Sequence, residues 1–273
     1  MPHNHAPPPD ARIIISGKKC LVSRSRLPAT NTSPIPKASL ARYNVAPSTS
    51  TPQGSPDYSQ KYAEYSVLQQ HVLFWDRDND GIIWPYHTYV GFRELGFSIL
   101  FSIIAVILMN LSFSYPSRLA HSYFPDPMFR IYVSSIHKVK HGSDTGIYDS
   151  EGRFRPQMFE DIFSKYDKGC TGGLSPRELF DLLHGDRVAA DPYGWCAAFM
   201  EWLTTWLLIQ KDGRVWKEDI RQCYDGSLFW RIRDDRISGK GWDQGYGFSD
   251  AVKDLFGYEI GRKSKKTKKR RDC

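Results

Sequence analysis

The 273-residue sequence predicts a mainly α protein, built from EF-hand-like helix-loop-helix units together with a short apolar helical hairpin that inserts into a membrane. Three observations predict this fold class. An acidic loop with metal-binding spacing lies between two helical patterns, weaker copies of that loop occur farther along the chain, and an uncharged apolar run lies between them.

The acidic loop covers residues 76–87, DRDNDGIIWPYH. Asp76, Asp78 and Asp80 occupy its first, third and fifth positions, where short carboxylates can reach one hard cation. Gly81 supplies the sharp turn at position six, and the backbone carbonyl of Ile82 is the expected ligand at position seven. The spacing predicts a calcium site.

The twelfth position of this loop departs from the pattern, because His87 stands where a bidentate Glu is usual. Imidazole is a poor ligand for an ion that prefers oxygen. We therefore include His87 in the predicted metal set but expect weak calcium binding, with Glu94 or water as alternative occupants of this corner of the site.

Composition divides the chain into five regions. The first is rich in proline, with ten of the seventeen prolines, and the last holds eight basic residues within GRKSKKTKKRRD. Both compositions predict solvated tails without a core. The predicted regions are a disordered tail (1–57), a calcium-binding EF-hand unit (58–96), an apolar lipid anchor with a proline turn (97–130), a C-terminal helical domain (131–260) and a polybasic tail (261–273).

The helix that enters the acidic loop is predicted from apolar residues at three- and four-residue spacing, namely Tyr62, Tyr65, Leu68, Val72 and Trp75. His71 lies on it, one turn before the loop. The exiting helix is predicted from Pro85 to Gly96.

The apolar run from Phe97 to Phe113 contains no charged residue. At about 1.5 Å per residue it is barely long enough to cross a bilayer core of ~30 Å. Pro116, Pro125 and Pro127 follow, and they favour a hairpin that dips into one leaflet. A buried core helix is the alternative.

Residues 131–154 contain His137 and His141, which share one face only if residues 131–140 are helical. Farther on, Asp167–Glu178 and Leu208–Asp219 resemble the first loop. In the former, Gly169 and Thr171 replace the carboxylates of positions three and five, and the latter has no acid at position one. We expect these two to pair as EF-hand-like loops without calcium. The five cysteines have no CxxC spacing and predict free thiols in a reducing compartment.

The order of these segments resembles the caleosins, also called peroxygenases, which are lipid-droplet proteins of plants, algae and fungi. The resemblance rests on VLQQHVLFWD, the loop continuing as GIIWPYHTYVGFRELGF, the apolar segment ending in prolines, IHKVKHGSDTGIYDSEGRF and QCYDGSLFW. It covers roughly residues 58–233. The loose proline region is similar to that of fungal members.

The resemblance implies a calcium-dependent haem enzyme that uses a fatty-acid hydroperoxide to hydroxylate or epoxidise an unsaturated lipid. By the family's motifs, His71 and His141 are the implied haem-binding and catalytic residues, and His137 is not. Two axial imidazoles would leave no open position for peroxide, so only one should be the proximal ligand. Without a CxxCH motif, the implied haem b is non-covalent.

The resemblance also implies the partners and the location. We expect attachment to the lipid-droplet monolayer or the endoplasmic reticulum membrane, both chain ends in the cytosol, and no nucleic-acid partner; the oligomeric state is left open. The alternative function is that of a non-catalytic, calcium-responsive coat protein of lipid droplets.

Overall fold

The computed structural model describes residues 34–238. This range is mainly helical, as the sequence predicts, and its four β-strands have two residues each. In chain order the elements are α1 (Pro56–Lys61), α2 (Val67–Val72), β1 (Ile82–Ile83), α3 (Pro85–Glu94), α4 (Ile99–Arg118), β2 (Ile131–Tyr132), a 3₁₀ helix (Val133–Val139), α5 (Pro156–Tyr166), β3 (Gly173–Leu174), α6 (Pro176–Gly185), α7 (Pro192–Ile209), β4 (Val215–Trp216), α8 (Lys217–Asp225) and α9 (Ser227–Ile237). The polybasic tail lies outside the described residues.

Local sequence signals set where the helices begin. Helices α1, α3, α5, α6 and α7 each start with proline, which has no backbone N–H to lose and a φ already suited to a helix. Capping boxes also mark two of the helix starts. Ser66 and Gln69 cap the N-terminus of α2, and Ser175 and Glu178 cap the N-terminus of α6.

The helix predicted before the acidic loop is instead two short helices. Residues 62–66, between α1 and α2, are not helical, and α2 begins after the Ser66 cap. Residues 34–57 also differ from the predicted disorder. Ile35 and Ala46 are buried, and Arg42 forms a β-bridge with Phe154, so this part of the proline-rich region packs on the folded chain.

Two antiparallel strand pairs join the loops. In the first, β1 pairs with β2 and Ile83 lies opposite Ile131; in the second, β3 pairs with β4 and Leu174 lies opposite Val215. Ile83, Leu174 and Val215 all occupy position eight of their loops. The second and third loops therefore pair with each other as predicted, whereas the first pairs with a segment that has no loop pattern.

The apolar run forms α4, which continues through Pro116 to Arg118. Among the described helices it is the one long and apolar enough to cross a membrane. The chain then turns back through the irregular residues 119–130 rather than through a second helix. Buried Asp126 holds this turn, accepting hydrogen bonds from Arg118, Arg130 and Tyr132.

Residues 131–140 are not one α-helix. They form β2 and a 3₁₀ helix with a break at Ser135, where φ is −123°. The first two residues pair with β1 as a strand, and the 3₁₀ helix ends at Val139, before His141. His137 and His141 therefore do not share a helical face. His141 lies in the loop that follows.

Candidate functional site

The first loop gathers three carboxylates. Ligand oxygens of Asp76, Asp78 and Asp80 all lie within 4.8 Å of one another. Gly81 adopts a φ of 81°, and its N–H donates to Asp76 Oδ2 at 3.0 Å. The Ile82 N–H donates to Asp80 Oδ1 at 2.7 Å. Because the N–H and C=O of one strand residue point to the same side, the Ile82 carbonyl also faces the loop.

Unpaired buried atoms show that this cluster fits a cation. Asp76 is 3% exposed, yet its Oδ1 has no hydrogen-bond partner. Burial and the charges of Asp80 and Asp78 raise the pKa of Asp76. A bound Ca²⁺ would satisfy that oxygen and neutralise the like charges.

His87 and Glu94 lie outside the carboxylate cluster. The Nδ1 of His87 is buried without a partner, so its role as a ligand stays a prediction. Glu94 makes two hydrogen bonds of 2.7 Å to Arg77. This pairing removes Glu94 as the ready substitute for the missing position-twelve carboxylate.

The second loop satisfies its own carboxylates. Asp167 accepts from the backbone N–H groups of Thr171 and Gly172, at 2.9 and 2.7 Å. Glu178 is paired with Arg214 of the third loop at 3.0 Å. The Arg214 guanidinium therefore already neutralises the position-twelve carboxylate. In a calcium-binding loop this carboxylate would bind the ion instead.

A cavity of about 500 Å³ lies between α2, α4, α7 and α8. This volume falls within the range of small-molecule sites, ~300–1,000 Å³. Most of its wall is apolar, with Phe101 and Leu108 from α4 and Trp202 and Leu208 from α7 among the lining residues. Both His71 and His141 line it, and His137 does not.

His71 is held at the inner end of this cavity. Its Nδ1 lies 2.6 Å from the carbonyl oxygen of Cys223, and its ring packs edge-on against Phe229 with centroids 5.2 Å apart. Burial lowers the pKa of His71. The neutral ring therefore donates from Nδ1 to the carbonyl and keeps a lone pair on Nε2.

A glycine permits this contact. Gly226 ends α8 with a φ of 81°, and a Cβ there would lie 2.5 Å from the carbonyl oxygen of Gln70 and 2.8 Å from the Cα of His71. Only a residue without a side chain lets the α8–α9 junction approach α2 this closely.

His141 lies beside the half-exposed Glu201, although its own side chain is only 5% exposed. Its Nε2 is 3.7 Å from Glu201 Oε1, the separation of an ion pair, while its Nδ1 is buried without a partner. Interaction with Glu201 raises the pKa of His141, against the lowering effect of burial. Tyr193 packs edge-on against the ring, with centroids 6.3 Å apart.

Sequence reasoning missed several residues of this site. Glu201, Cys223 and Tyr148 all line the cavity. Glu201 lies sixty positions from His141, so no local signal in the sequence links the two. The i, i+4 recurrence of Tyr193, Ala197 and Glu201 along α7 is the one pattern that could have placed them on a common face.

The two histidines fit a haem site, just as the three aspartates fit a calcium site. His71 offers a neutral Nε2 in an apolar enclosure, and His141 adds a buried nitrogen without a partner. Imidazole is the usual protein ligand of haem iron. A hydrogen bond from the other ring nitrogen to a carbonyl, as in His71, is the usual way to orient such a ligand.

The chain matches the family model of caleosin-related proteins over residues 63–233, more than half of its length. It is 42% identical over 203 residues to "Peroxygenase" of Lilium longiflorum, which covers 74% of this chain and 83% of that protein. "Probable peroxygenase 4" of Arabidopsis thaliana is 39% identical over 176 residues, 64% of this chain and 89% of the relative.

A third relative carries a different name. "Probable inactive peroxygenase-like protein" of Arabidopsis thaliana is 30% identical over 150 residues, which are 54% of this chain and 70% of that protein. No solved structure matches the chain. From the family match and the two longer alignments, this chain belongs to the caleosin family.

Proposed function

We propose that this protein is a calcium-binding haem peroxygenase that uses fatty-acid hydroperoxides to hydroxylate or epoxidise unsaturated lipids. One observation carries the proposal: His71 and His141, which are seventy positions apart in the sequence, line the same apolar cavity. The relatives named peroxygenase, at 42% and 39% identity, support the reaction class.

Haem, when bound in this cavity, would supply the iron chemistry that transfers one oxygen atom from the hydroperoxide to the acceptor lipid. His71 is the better proximal ligand, because its Nδ1 is fixed by the Cys223 carbonyl and its Nε2 is free. The rings of Trp75 and Phe229 pack against it and hold its orientation.

His141 is suited to move protons. Glu201 stabilises the hydrogen on Nε2, which leaves the buried Nδ1 with a lone pair and no competing partner. Nδ1 can then accept the proton of the hydroperoxide and return it to the alcohol that leaves after the O–O bond breaks. The proton balance closes within the cavity.

Calcium at Asp76, Asp78 and Asp80 would act through α2. This helix carries His71 and leads directly into the loop, and Trp75 next to Asp76 packs against the His71 ring with centroids 6.1 Å apart. An ordered loop would therefore hold the proximal histidine in place.

We place the protein at a lipid surface, either the lipid-droplet monolayer or the endoplasmic reticulum membrane. The exposed apolar residues of α4 support this location. The cytosolic orientation of both chain ends stays a prediction, because the ends lie outside the described residues. The fungal assignment also stays a prediction.

The test is oxygen transfer. Full-length protein supplied with haem and calcium is given a fatty-acid hydroperoxide labelled with ¹⁸O and an unsaturated fatty-acid acceptor. We expect the label in the hydroxylated or epoxidised acceptor. Label that stays in the hydroperoxide and its alcohol, despite bound haem, would contradict the proposal.

That negative result would favour the second candidate function, a non-catalytic calcium-responsive coat protein of lipid droplets. The observation behind it is the relative named as inactive, which is 30% identical to this chain. A coat protein would still bind lipid and calcium while transferring no oxygen.

A further inference from the structure

We propose that acyl chains reach the cavity sideways, through a mouth between α4 and α7 that opens onto the lipid surface against which α4 lies. This inference rests on the proposed function for its substrate class. It adds the route of entry and the residues that set it.

The exposed lining residues locate the mouth. Among the described residues that line the cavity, four are exposed: Leu108 on α4, and Tyr193, Cys196 and Glu201 on α7. The three on α7 recur at three- to five-residue spacing along one side of that helix. The Tyr193 side chain also reaches Ser112 of α4, so the two helices meet at one end of this mouth.

Helix α4 has two apolar faces with different neighbours. One face lines the cavity, through residues such as Phe101, Ala105 and Met109. The other is exposed, and its large apolar side chains follow helical spacing: Ile99, Leu100, Ile103, Ile107, Leu111 and Tyr115. Leu108 belongs to both faces, being 39% exposed while it lines the cavity.

A lipid layer is the occupant that fits the exposed face. The helix carries no charged residue until Arg118 at its end. Exposed Tyr115, Tyr123 and Phe124 lie around that end, where an aromatic and basic edge is typical of a membrane interface. If this face bound a protein, we would expect polar side chains among the apolar ones, because protein interfaces have a polar rim and hydrogen bonds.

The packing of α4 favours a helix lying in the plane of the interface. Its inner face rests on α3, β2 and the 3₁₀ helix of its own chain. A helix covered on one side by protein cannot be surrounded by lipid, whereas one exposed apolar face can enter the headgroup and acyl boundary. In that position the mouth lies beside the acyl chains.

The route also orders the substrate's encounter with the two histidines. Glu201 at the mouth is the ion-pair partner of His141, so the mouth is at the His141 end. A hydroperoxide entering there meets the proton acceptor, while His71 remains at the inner end.

Two tryptophan variants of the full-length protein test the route. Leu108→Trp narrows the mouth, and Ile107→Trp adds the same side chain to the lipid-facing side, where Ile107 is 51% exposed and does not line the cavity. The measurement is uptake of the fluorescent fatty acid cis-parinaric acid from phosphatidylcholine vesicles. Circular dichroism and vesicle flotation check that both variants fold and bind.

We expect Leu108→Trp to slow uptake at least about tenfold, the effect of a barrier raised by ~1.4 kcal/mol. Ile107→Trp should stay within about twofold of the wild type. Blocking Cys196 with a bulky maleimide should also slow uptake, and the same reagent should not slow the Cys196→Ser variant.

Wild-type rates in both Leu108→Trp and the maleimide-blocked protein would overturn the route. Failure of the proposed function would look different: uptake would depend on the mouth as described, and oxygen transfer would be absent. A wild type that takes up no fatty acid would overturn both the route and the substrate class.

Discussion

The inner and outer ends of the cavity surround a histidine in opposite ways. At the inner end, burial lowers the pKa of His71, and the Cys223 carbonyl fixes its Nδ1 at 2.6 Å. At the outer end, Glu201 raises the pKa of His141, whose Nδ1 has no partner. The same side chain is thus prepared as a fixed, neutral ligand at one end and as a proton carrier at the other.

The difference shows that environment assigns the two roles. A metal ligand needs a neutral ring and a fixed orientation, which a backbone carbonyl provides without charge. A proton carrier needs a pKa near the working pH and an unoccupied nitrogen. Four predictions test this contrast, in order of expected effect.

Removing the outer histidine should stop turnover without removing haem. We expect His141→Ala to retain haem and to lose oxygen transfer by a factor of about 10²–10⁴, the usual contribution of a general acid or base. His137→Ala, outside the cavity, is the matched control and should keep its activity. Loss of haem from His141→Ala would mean that His141 is the proximal ligand.

Calcium binding should depend on the first loop, next to the inner end of the cavity. Asp76→Asn should weaken calcium binding at least about tenfold, ~1.4 kcal/mol, since it removes a charged ligand oxygen. The control is Asp167→Asn in the second loop, whose carboxylate already accepts two backbone N–H groups. Calorimetry should show unchanged calcium affinity in this control, and equal losses in both variants would refute a single calcium loop.

The missing carboxylate of the first loop should be restorable. His87→Glu adds oxygen ligands and a negative charge, so calcium should bind about tenfold more tightly. Glu94→Gln should leave calcium affinity nearly unchanged, because Glu94 is committed to Arg77. Equal affinities of wild type and His87→Glu would show that another group already completes the site.

The smallest effect concerns pH. Glu201 raises the pKa of His141, so Glu201→Gln should lower that pKa and keep the ring neutral to lower pH. Because Glu201 is half exposed, the shift should stay below about one pH unit, as expected for an ion pair worth ~0.2–1 kcal/mol. The acid limb of the activity profile should move down by that amount.

The control for this pH shift is Glu151→Gln. Burial and the charge of Lys138 lower the pKa of His137, Glu151 partly offsets that lowering, and His137 lies outside the cavity. Its activity profile should not move. An identical shift in both variants would mean that overall charge, rather than the His141 pair, sets the acid limb.

Much of this arrangement could be predicted from sequence because its signals are local. The spacing of Asp76, Asp78, Asp80 and Gly81 specified the first loop, and the uncharged run specified α4. The recurrence of the loop pattern at Asp167–Glu178 and Leu208–Asp219 predicted that these two loops pair, and Leu174 lies opposite Val215. Each of these signals lies within a stretch of at most seventeen residues.

The remaining features depend on contacts between distant segments. The partner of Ile83 is Ile131, in a segment with no loop motif, and this pairing makes the start of that segment a strand, β2. The ion pair of His141 with Glu201 and the contact of His71 with Cys223 likewise join separate helices. Disorder was overestimated for residues 34–57, because burial of Ile35 and Ala46 against other segments is invisible in composition.

The most direct test is the absorption spectrum of purified full-length protein supplied with one equivalent of haem. We expect a Soret band of bound haem that survives gel filtration and changes when a fatty-acid hydroperoxide is added. His71→Ala should lose this band and His137→Ala should keep it. A spectrum of free haem in the wild type, or an unchanged band in His71→Ala, would contradict the assignment of the cavity as a haem site held by His71.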